Sequence, residues 1–328
     1  MSKGTFYVGI DVGQEELVVC LQGAKPRSFS HNTKGIRTML EWSRKAASGG
    51  ELHFCLEATG VYGYSLATSL VNSFEVLISI VNPAQIAAFA KAQLRRTKTD
   101  SIDARVILAF AQSQHPPCWK PESKTQRQLY HLVTQADRLR RMLRQLSNRD
   151  HSFKYVPDLP EEIKRSQRSL HRSIEKQLAN IEKAIEKLRT EDKELKEQVD
   201  LLCSIPGIAS HSATKILAYS KNIIEERDPK ALTAHAGLAP SQKQSGISIR
   251  GKSRIAKQGD RRLRNALFMP ALVAAYHNPI LKTFYQRLLD NGKPKMLAIV
   301  AVMKKLLLMI QAILKRKLPF KPDYLPLT

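Results

Sequence analysis

Four acidic residues stand where apolar strands end or a helix begins, in a chain that is otherwise strongly basic. They are Asp11, Glu57, Asp100 and Asp103. Because Asp100 and Asp103 are three residues apart, they share one face at the start of a predicted helix. Carboxylates on a rigid frame can hold two Mg²⁺ ions about 4 Å apart, which stabilise the entering and leaving oxygens in phosphodiester cleavage. Any one of these acids alone could instead be a helix cap or a surface carboxylate.

The charge balance indicates a polyanionic partner. The 328 residues carry a formal net charge of +24 at pH 7, and the sequence pI is about 10.0. Such a chain attracts nucleic acid, although charge alone could also serve solubility. Aromatic residues make up only 6%, which argues against a single-strand binding surface built from aromatic rings. Together with the acids, the charge predicts a metal-dependent enzyme acting on phosphodiester bonds.

The cysteines and apolar stretches predict a cytoplasmic protein with no membrane span. Cys20, Cys55, Cys118 and Cys203 are far apart and form no CxxC pair, which argues against a zinc site and a disulfide framework. The first residues lack the long apolar stretch of a signal peptide. Residues 296–314 are apolar but contain two lysines, and they predict a buried amphipathic helix.

The first part of the chain, residues 1–118, predicts a mixed α/β domain. Its order is three strands, helix, strand, helix, strand and two helices, which differs from a plain doubly wound sheet. Asn32 and Thr99 are good caps for two of the helices. The predicted elements are strands at 5–12, 16–22, 26–31, 51–57 and 75–81 and helices at 33–47, 64–72, 83–92 and 100–114.

The middle segment, residues 119–202, has the heptad spacing of a coiled coil. Leucine and isoleucine alternate spacings of three and four over 129–146 and 170–188, and the seam is interrupted at Asp192. Two long helices therefore either fold back on each other or pair with a second protomer. The first of them is basic on its opposite face, and we expect a homodimer or a tetramer.

The last segment, residues 203–328, is predicted to be mainly helical. Its turn Ile205-Pro206-Gly207-Ile208 resembles the hairpin of a helix-hairpin-helix element, whose backbone amides grip a phosphate; the alternative is a plain turn between packed helices. A basic loop is predicted at 240–264. The cations expected to contact nucleic acid, through phosphates or bases, are Arg95, Arg96, Lys98, Arg250, Lys252, Arg254, Arg261 and Arg262.

Several stretches carry a resemblance to a known family. The strand order and the Asp, Glu, Asp-x-x-Asp set look like the RuvC-type branch of the RNase H fold. VGIDVG, LEATGVYG, VNPAQIAAFA and RRTKTDSIDAR resemble the N-terminal domain of the DEDD transposases of insertion sequence family 110, relatives of the Piv invertases. SIPGI, the segment AHAGLAPSQKQSGISIRGKSRIAKQGDRRLRNALFMPA and NGKPKMLAIVAVMKKLL resemble that family's C-terminal domain.

The resemblance implies a second catalytic part. The position that matches the family's catalytic serine is Ser245, in Gln244-Ser245-Gly246. Gly246 would let the backbone approach a ligand closely, which supports this choice. Ser241, Ser248 and Ser253 are near enough to be alternatives, and the motif match favours Ser245. A serine hydroxyl needs activation, here by metal, since His211 and His235 have no evident acidic partner and are interpreted as structural.

The resemblance therefore implies a Mg²⁺-dependent DNA transposase. Ser245 would hold one DNA end as a phosphoserine, and a structured RNA from the element's non-coding end would choose donor and target DNA. Because the coiled-coil segment separates the two catalytic parts, an arrangement in which they meet across protomers is compatible with this chain. The alternatives are a Piv-like site-specific invertase, a RuvC-like junction nuclease using only the acids, or a binding protein with a decayed site. The intact set of acids argues against the last.

Overall fold

The computed structural model describes residues 5–58, 60–74, 76–93, 99–221, 223–241, 244–245, 249–250, 254–255 and 258–322. Within these ranges, the side chains at 226, 241, 244, 245, 249, 250 and 254 are not described. The chain divides into two compact units, Met1–Pro121 and Glu122–Thr328. The first is a mixed α/β unit and the second is mostly helical, as expected at this level. The division into three domains stays a prediction.

The first unit is built on a five-stranded sheet in the order β3-β2-β1-β4-β5. The central strand β1 pairs antiparallel with β2 and parallel with β4, so a hairpin edge is joined to a parallel core. The strands are β1 Thr5–Val12, β2 Glu16–Leu21, β3 Arg27–Ser30, β4 Glu51–Glu57 and β5 Leu77–Val81.

Helices cover both faces of this sheet. They are α1 Thr33–Ala46, α2 Gly60–Phe74, α3 Pro83–Ala92 and α4 Asp100–Gln114. Helices α1 and α2 bury their apolar side chains against the face that carries Val8 and Ile10. Helix α4 covers the opposite face, where Val18 and Cys20 pack beside it. Strands β2 and β4 are buried on both sides, which explains why they read as continuous apolar segments.

Capping residues and a glycine turn determine where several of these helices begin. Asn32 caps α1 by accepting a hydrogen bond from the Gly35 amide at 2.8 Å. Thr99 caps α4 by accepting from the Ile102 amide, as predicted. Helix α2 begins at Gly60, earlier than the predicted residue 64, because Gly60 adopts a φ of +61° that turns the chain directly out of β4. The four cysteines are unpaired, and Cys20 and Cys55 are buried in the sheet.

The second unit contains nine helices among its described residues and four two-residue strands. The helices are α5 Lys124–Phe153, α6 Glu161–Glu191, α7 Lys193–Cys203, α8 Ser210–Ser220, α9 Ile223–Glu226, α10 Pro229–His235, α11 Arg261–His277, α12 Pro279–Asp290 and α13 Lys295–Arg316. The strands are β6 Pro240–Ser241, β7 Gln244–Ser245, β8 Ile249–Arg250 and β9 Arg254–Ile255. Pairing of β6 with β9 and of β7 with β8 gives the predicted basic loop a short ladder structure.

Helices α5 and α6 fold back on each other as an antiparallel hairpin. Leu139, Leu146 and Ile174 form a buried cluster between them. At the open end, the Thr125 hydroxyl donates to the Asp192 carboxylate at 2.6 Å. Asp192 interrupts the heptads because it caps α7, accepting from the Leu195 amide. Of the two arrangements expected from the sequence, the chain contains the folded-back one, while a coiled coil between protomers stays a prediction.

The rest of the unit packs around α13. This helix is the one in the described part of the chain that is long and apolar enough to cross a membrane by length and composition, yet most of its apolar stretch is buried inside the protein. The turn at 205–208 joins α7 to α8 and packs on α11: a Cβ at Gly207 would lie 2.7 Å from the Ala274 Cβ. This packing favours the plain turn between helices, and phosphate gripping there stays a prediction.

Candidate functional site

Asp11 lies near the end of β1, on the sheet face that α4 covers. Successive strand side chains point to opposite faces, so Asp11 shares its face with Gly9, whereas Val8 and Ile10 face the α1–α2 layer. Asp11 pairs with Val18 across the β1–β2 hairpin. The carboxylate thus emerges where the strand leaves the core, next to the N-terminal part of α4.

Gly9 fixes how α4 sits on β1. A Cβ at Gly9 would lie 2.4 Å from the Ala104 carbonyl oxygen and 2.5 Å from the Leu108 amide nitrogen. No side chain fits there, so the helix backbone rests directly on the strand. Two residues of strand, from Gly9 to Asp11, cover about 7 Å, and the four to five residues of helix back toward its N-terminus cover about the same length. The contact therefore brings the first turn of α4 level with Asp11.

The far end of α4 is held as well. The Tyr7 hydroxyl lies 2.9 Å from His115 Nδ1, and His115 ends the helix in a left-handed conformation. Two contacts on β1, at Tyr7 and Gly9, thus set the direction of α4 antiparallel to the strand. Asp100 and Asp103 lie in the first turn of the helix, where the helix dipole favours negative charge.

Glu57 reaches the same place from the neighbouring strand. Gly9 pairs with Cys55 and Ile10 with Leu56 in the parallel β1–β4 ladder. Continuing this register, Glu57 comes beside Asp11, on the same face as Cys55, with strands about 4.8 Å apart. Glu57 is the last residue of β4 and is partly exposed. Both carboxylates therefore stand at one edge of the sheet.

The electrostatics of Asp11 report the proximity of all four acids. Burial raises its pKa most, and the charges of Asp103, Asp100 and Glu57 raise it further, so that it rises from 3.8 to about 6 despite a hydrogen bond from the Val12 amide. Like charges disfavour ionisation when they share a site. The four acids predicted from the sequence are thus brought together by the sheet and α4.

The donor chemistry fits a hard divalent cation, although the present side-chain positions do not form a coordination shell. Among the described residues, no group of three or more His, Cys, Asp or Glu side chains is arranged so that it could hold a metal ion. Coulombic repulsion acts over longer distances than the roughly 2.1 Å Mg²⁺–oxygen bond, so the acids can be coupled without being poised as ligands.

The other predicted residues belong to the second unit or lie outside the described residues. Ser245 lies in β7 of the second unit, paired with Ile249, and only its backbone is described. Arg250 and Arg254 lie in β8 and β9, likewise without described side chains, and Arg95, Arg96, Lys98 and Lys252 lie outside the described residues. Arg261 and Arg262 begin α11 and are exposed.

Sequence reasoning missed the role of Gly9 and of the Tyr7–His115 contact. A single glycine inside an apolar strand was the available signal for the first, since it marks a close backbone approach. No sequence signal linked Tyr7 to His115, which are 108 positions apart. The two histidines that the sequence left as structural, His211 and His235, both have pKa values lowered first by burial.

Comparison with known proteins follows the same division of the chain. The DEDD transposase family of IS110 matches residues 8–153, and the family described as transposase IS116/IS110/IS902 matches residues 199–286. The pilin gene-inverting proteins of Moraxella bovis and Moraxella lacunata are each 32% identical over 320 residues, covering 96% of this chain and 97% of the relative. An insertion element IS110 protein of Streptomyces coelicolor is 29% identical over 115 residues, covering 35% of this chain and 28% of that protein.

The first two relatives match along nearly the whole chain, and the two family matches include the acidic residues and the segment around Ser245. The chain therefore belongs to the IS110 family of transposases and is a relative of the pilin gene-inverting proteins.

Proposed function

We propose that Asp11, Glu57, Asp100 and Asp103 form a Mg²⁺-dependent DNA-cleavage site on an RNase H-like, RuvC-type domain. The observation that carries this proposal is geometric: Asp11 and Glu57 end neighbouring strands in register, and the Gly9 contact sets the first turn of α4, with its two aspartates, level with Asp11. The raised pKa of Asp11, to which burial and the three other acids contribute, supports it. Four carboxylates held together at a sheet edge repel one another, and a divalent cation relieves that repulsion. Bound there, Mg²⁺ would stabilise the charge on the entering and leaving oxygens of a phosphodiester.

The protein's own part in this site is to hold the acids and to keep them ionised. β1 and β4 hold Asp11 and Glu57, and the Gly9 contact holds α4 with its two aspartates. Because ligation needs carboxylates without protons, and the pKa of Asp11 is about 6, the site is ready for a cation above that pH. Below it, a proton competes for Asp11.

Ser245 supplies the nucleophile in this proposal. Its Oγ forms a bond to the scissile phosphorus, the bond from phosphorus to one deoxyribose oxygen breaks, and the serine proton leaves to that oxygen or to solvent. The support is the family resemblance of the segment around Ser245 and its match to the transposase family over residues 199–286. Arg250, Lys252 and Arg254 follow closely in sequence and would hold phosphates.

The partners in this proposal are donor and target DNA and a structured guide RNA. If RNA pairing chooses the DNA, the protein needs few contacts to bases, which suits a basic chain with no base-reading pattern. A homodimer or tetramer is supported by apolar side chains left exposed toward the tip of the α5–α6 hairpin, where Met142 is 47%, Tyr155 76% and Leu170 45% exposed. The acids of one protomer would then act with Ser245 of another.

The experiment tests the acidic residues and Ser245 independently of each other. A plasmid that carries the element ends is incubated with the full-length protein, guide RNA and Mg²⁺, and protein–DNA adducts are separated by denaturing electrophoresis. Asp11→Asn should lose all cleavage, and Ser245→Ala should lose the covalent adduct. Ser241→Ala is the matched control and should keep both. Cleavage that survives in Ser245→Ala would instead indicate a junction nuclease that uses the acids alone.

Site-specific inversion is a second candidate. It is favoured by the 32% identity to pilin gene-inverting proteins over 320 residues, which exceeds the match to the insertion-element protein of Streptomyces coelicolor in both length and identity. Two inverted sites on one plasmid decide between them. An invertase flips the segment without added RNA, whereas the proposed transposase joins ends to a new target only when the RNA is present.

A further inference from the structure

A small cationic cavity lies where one face each of α5, α8 and α11 meet. We refer to it as the basic pocket; it is lined by Asp137, Arg138, Arg141, Lys215, Tyr219 and Arg262, among others. Its volume is about 120 Å³, well below the 300–1,000 Å³ usual for pockets that enclose whole small molecules. It is therefore sized for a single small group.

The floor of the basic pocket is a closed polar network. Lys215 Nζ donates to Asp137 Oδ1 at 2.8 Å, and the Tyr219 hydroxyl donates to Asp137 Oδ2 at 2.8 Å. Arg140 adds a third donor at 3.2 Å. Burial alone would raise the pKa of Asp137, but the hydrogen bonds from Lys215 and Tyr219 more than offset it, and the pKa is lowered. The one carboxylate is thus ionised and already satisfied from within the protein.

The rim of the basic pocket carries cations that lack acidic partners. Arg138, Arg141 and Arg262 are exposed. In the described parts of the chain none of them forms an ion pair, whereas neighbouring Arg140 pairs with Asp137 and Glu182. The lining includes four cations and one carboxylate, a net charge of +3. An anion that enters the basic pocket therefore meets arginines that are not neutralised.

Arg262 is also held in place. Its guanidinium donates to the Tyr130 hydroxyl and lies 5.6 Å from the centre of the Tyr130 ring. A cation over an aromatic face is stabilised, and an ordered side chain loses less entropy when it binds. Thr134 also lines the cavity and is buried, with 8% of the residue exposed. Its hydroxyl lies near Tyr219 but makes no hydrogen bond of normal geometry with a described group, so it is a further donor for a ligand.

Other cavities of the same unit have a smaller charge excess. The cavity between α5 and α6 that contains Lys124, Arg127, Lys187 and Glu191 has a net charge of +2, and so does the cavity at 312–321, which contains Arg316 and Lys321. The cavity between α5, α6 and α8 contains Arg140, Arg189 and Lys215 but also Glu182 and Glu186. The cavity beside the start of α5 contains Asp192, Glu194 and Glu225 against a single lysine. The basic pocket thus has the largest excess of positive charge among these cavities.

We propose that the basic pocket binds a backbone phosphate of the nucleic acid on which this transposase acts. Arginine forks match phosphate oxygens, and a phosphate is a group small enough for the cavity. Such a contact positions the nucleic acid without reading its sequence. The inference rests on the proposed function only in that the partner is nucleic acid, and it requires neither the acidic cluster nor Ser245. DNA and RNA offer the same phosphate chemistry.

The experiment measures affinity without catalysis. Fluorescence anisotropy of the full-length protein in EDTA gives Kd for a DNA duplex and for a stem-loop RNA with the same number of phosphates, over a series of salt concentrations. Arg141→Gln and Arg262→Gln should each weaken binding about tenfold, since a charged hydrogen bond to phosphate is lost. Each should also reduce the slope of log K against log salt by about one.

Arg172→Gln is the matched control, because it removes the same charge from an exposed arginine of α6 that does not line the basic pocket. It should change Kd less than twofold. Tyr130→Phe keeps both pocket arginines but removes the acceptor for Arg262, and should weaken binding by a smaller factor, about threefold. Unchanged circular dichroism checks that all variants are folded.

Each result decides the inference. Loss of affinity for DNA alone, RNA alone or both supports it and identifies the source of the phosphate. Effects of Arg141→Gln and Arg262→Gln no larger than that of Arg172→Gln would overturn it. So would arginine-dependent binding of an acidic peptide with nucleic-acid affinity unchanged. Asp11→Asn, tested in parallel, should lose cleavage and keep Kd; the phosphate site and the cleavage site can therefore fail independently.

Discussion

Replacing Asp11 with asparagine should make the protein more stable at neutral pH while abolishing cleavage. The ionised carboxylate is held in a partly buried position close to three other acids, and asparagine removes its charge while keeping an oxygen that can accept from the Val12 amide. Substitutions usually destabilise a protein. A gain in stability on losing a functional acid would therefore report the cost of holding this charge in a partly buried place beside three other acids.

The size of the gain follows from the pKa of Asp11. One unit of pKa is worth about 1.4 kcal/mol, so a rise from 3.8 to about 6 corresponds to at most about 3 kcal/mol. Screening by solvent at this partly exposed edge reduces it to about 1–2 kcal/mol. Because the folded pKa is raised, the folded state binds more protons than the unfolded state between pH 3.8 and about 6. The wild type therefore loses stability as pH rises through this window, and Asp11→Asn does not.

Urea denaturation followed by tryptophan fluorescence can measure this in the full-length protein. The sequence contains two tryptophans, Trp42 and Trp119, and both pack against the core of the first unit. Their fluorescence thus reports unfolding of the unit that contains Asp11. The difference in unfolding free energy between wild type and variant should be about 1–2 kcal/mol at pH 7.5 and close to zero at pH 3.5.

Glu15→Gln is the matched control, since it removes an exposed acid from the same hairpin that does not contribute to the pKa of Asp11. It should leave stability unchanged within about 0.5 kcal/mol. Added Mg²⁺ should stabilise the wild type at pH 7.5 and leave Asp11→Asn unaffected. An asparagine variant that is equally or less stable at pH 7.5 would refute the claim that burial and the neighbouring acids disfavour the ionised form of Asp11.

Three further outcomes are expected. Gly9→Ala should destabilise the first unit by about 2–4 kcal/mol and abolish cleavage, because its Cβ would lie 2.4 Å from the Ala104 oxygen; urea titration checks this. Asp137→Asn should cost about 1–3 kcal/mol at pH 7 by circular dichroism; since the folded pKa of Asp137 is lowered, the difference should vanish as pH falls through that pKa. Gly207→Ala should unfold the second unit at lower urea, because Gly207 has φ +107° and no space beside Ala274.

Much of the first unit's secondary structure could be predicted from the sequence because its signals are local. The caps at Asn32 and Thr99 and the short apolar runs of the strands are properties of neighbouring positions, and they set element types and most boundaries. The same holds for the four acids, whose importance follows from their places at the ends of elements. The net charge then indicated a nucleic-acid partner, and the sequence motifs indicated the family.

Tertiary structure decided what those elements do together. That α4 lies antiparallel on β1, with its first turn level with Asp11, depends on the bare backbone of Gly9 and on the Tyr7–His115 contact. Whether the heptad helices fold back or pair with another chain was open in the sequence, and the Thr125–Asp192 contact belongs to the folded-back form. Each depends on residues far apart in the chain.

The basic pocket likewise combines residues that the sequence reveals with an arrangement that only the tertiary structure decides. Its arginines were visible in the sequence as one basic helix face and one basic cluster, with nothing to connect them. Packing of α5, α8 and α11 places Asp137, Lys215 and Arg262 around one cavity. The same packing pairs Lys215 with Asp137, whereas Arg262 forms no ion pair with a described residue. Local propensity cannot fix such a pattern, because the free energy of a charge depends on which distant groups fold up beside it.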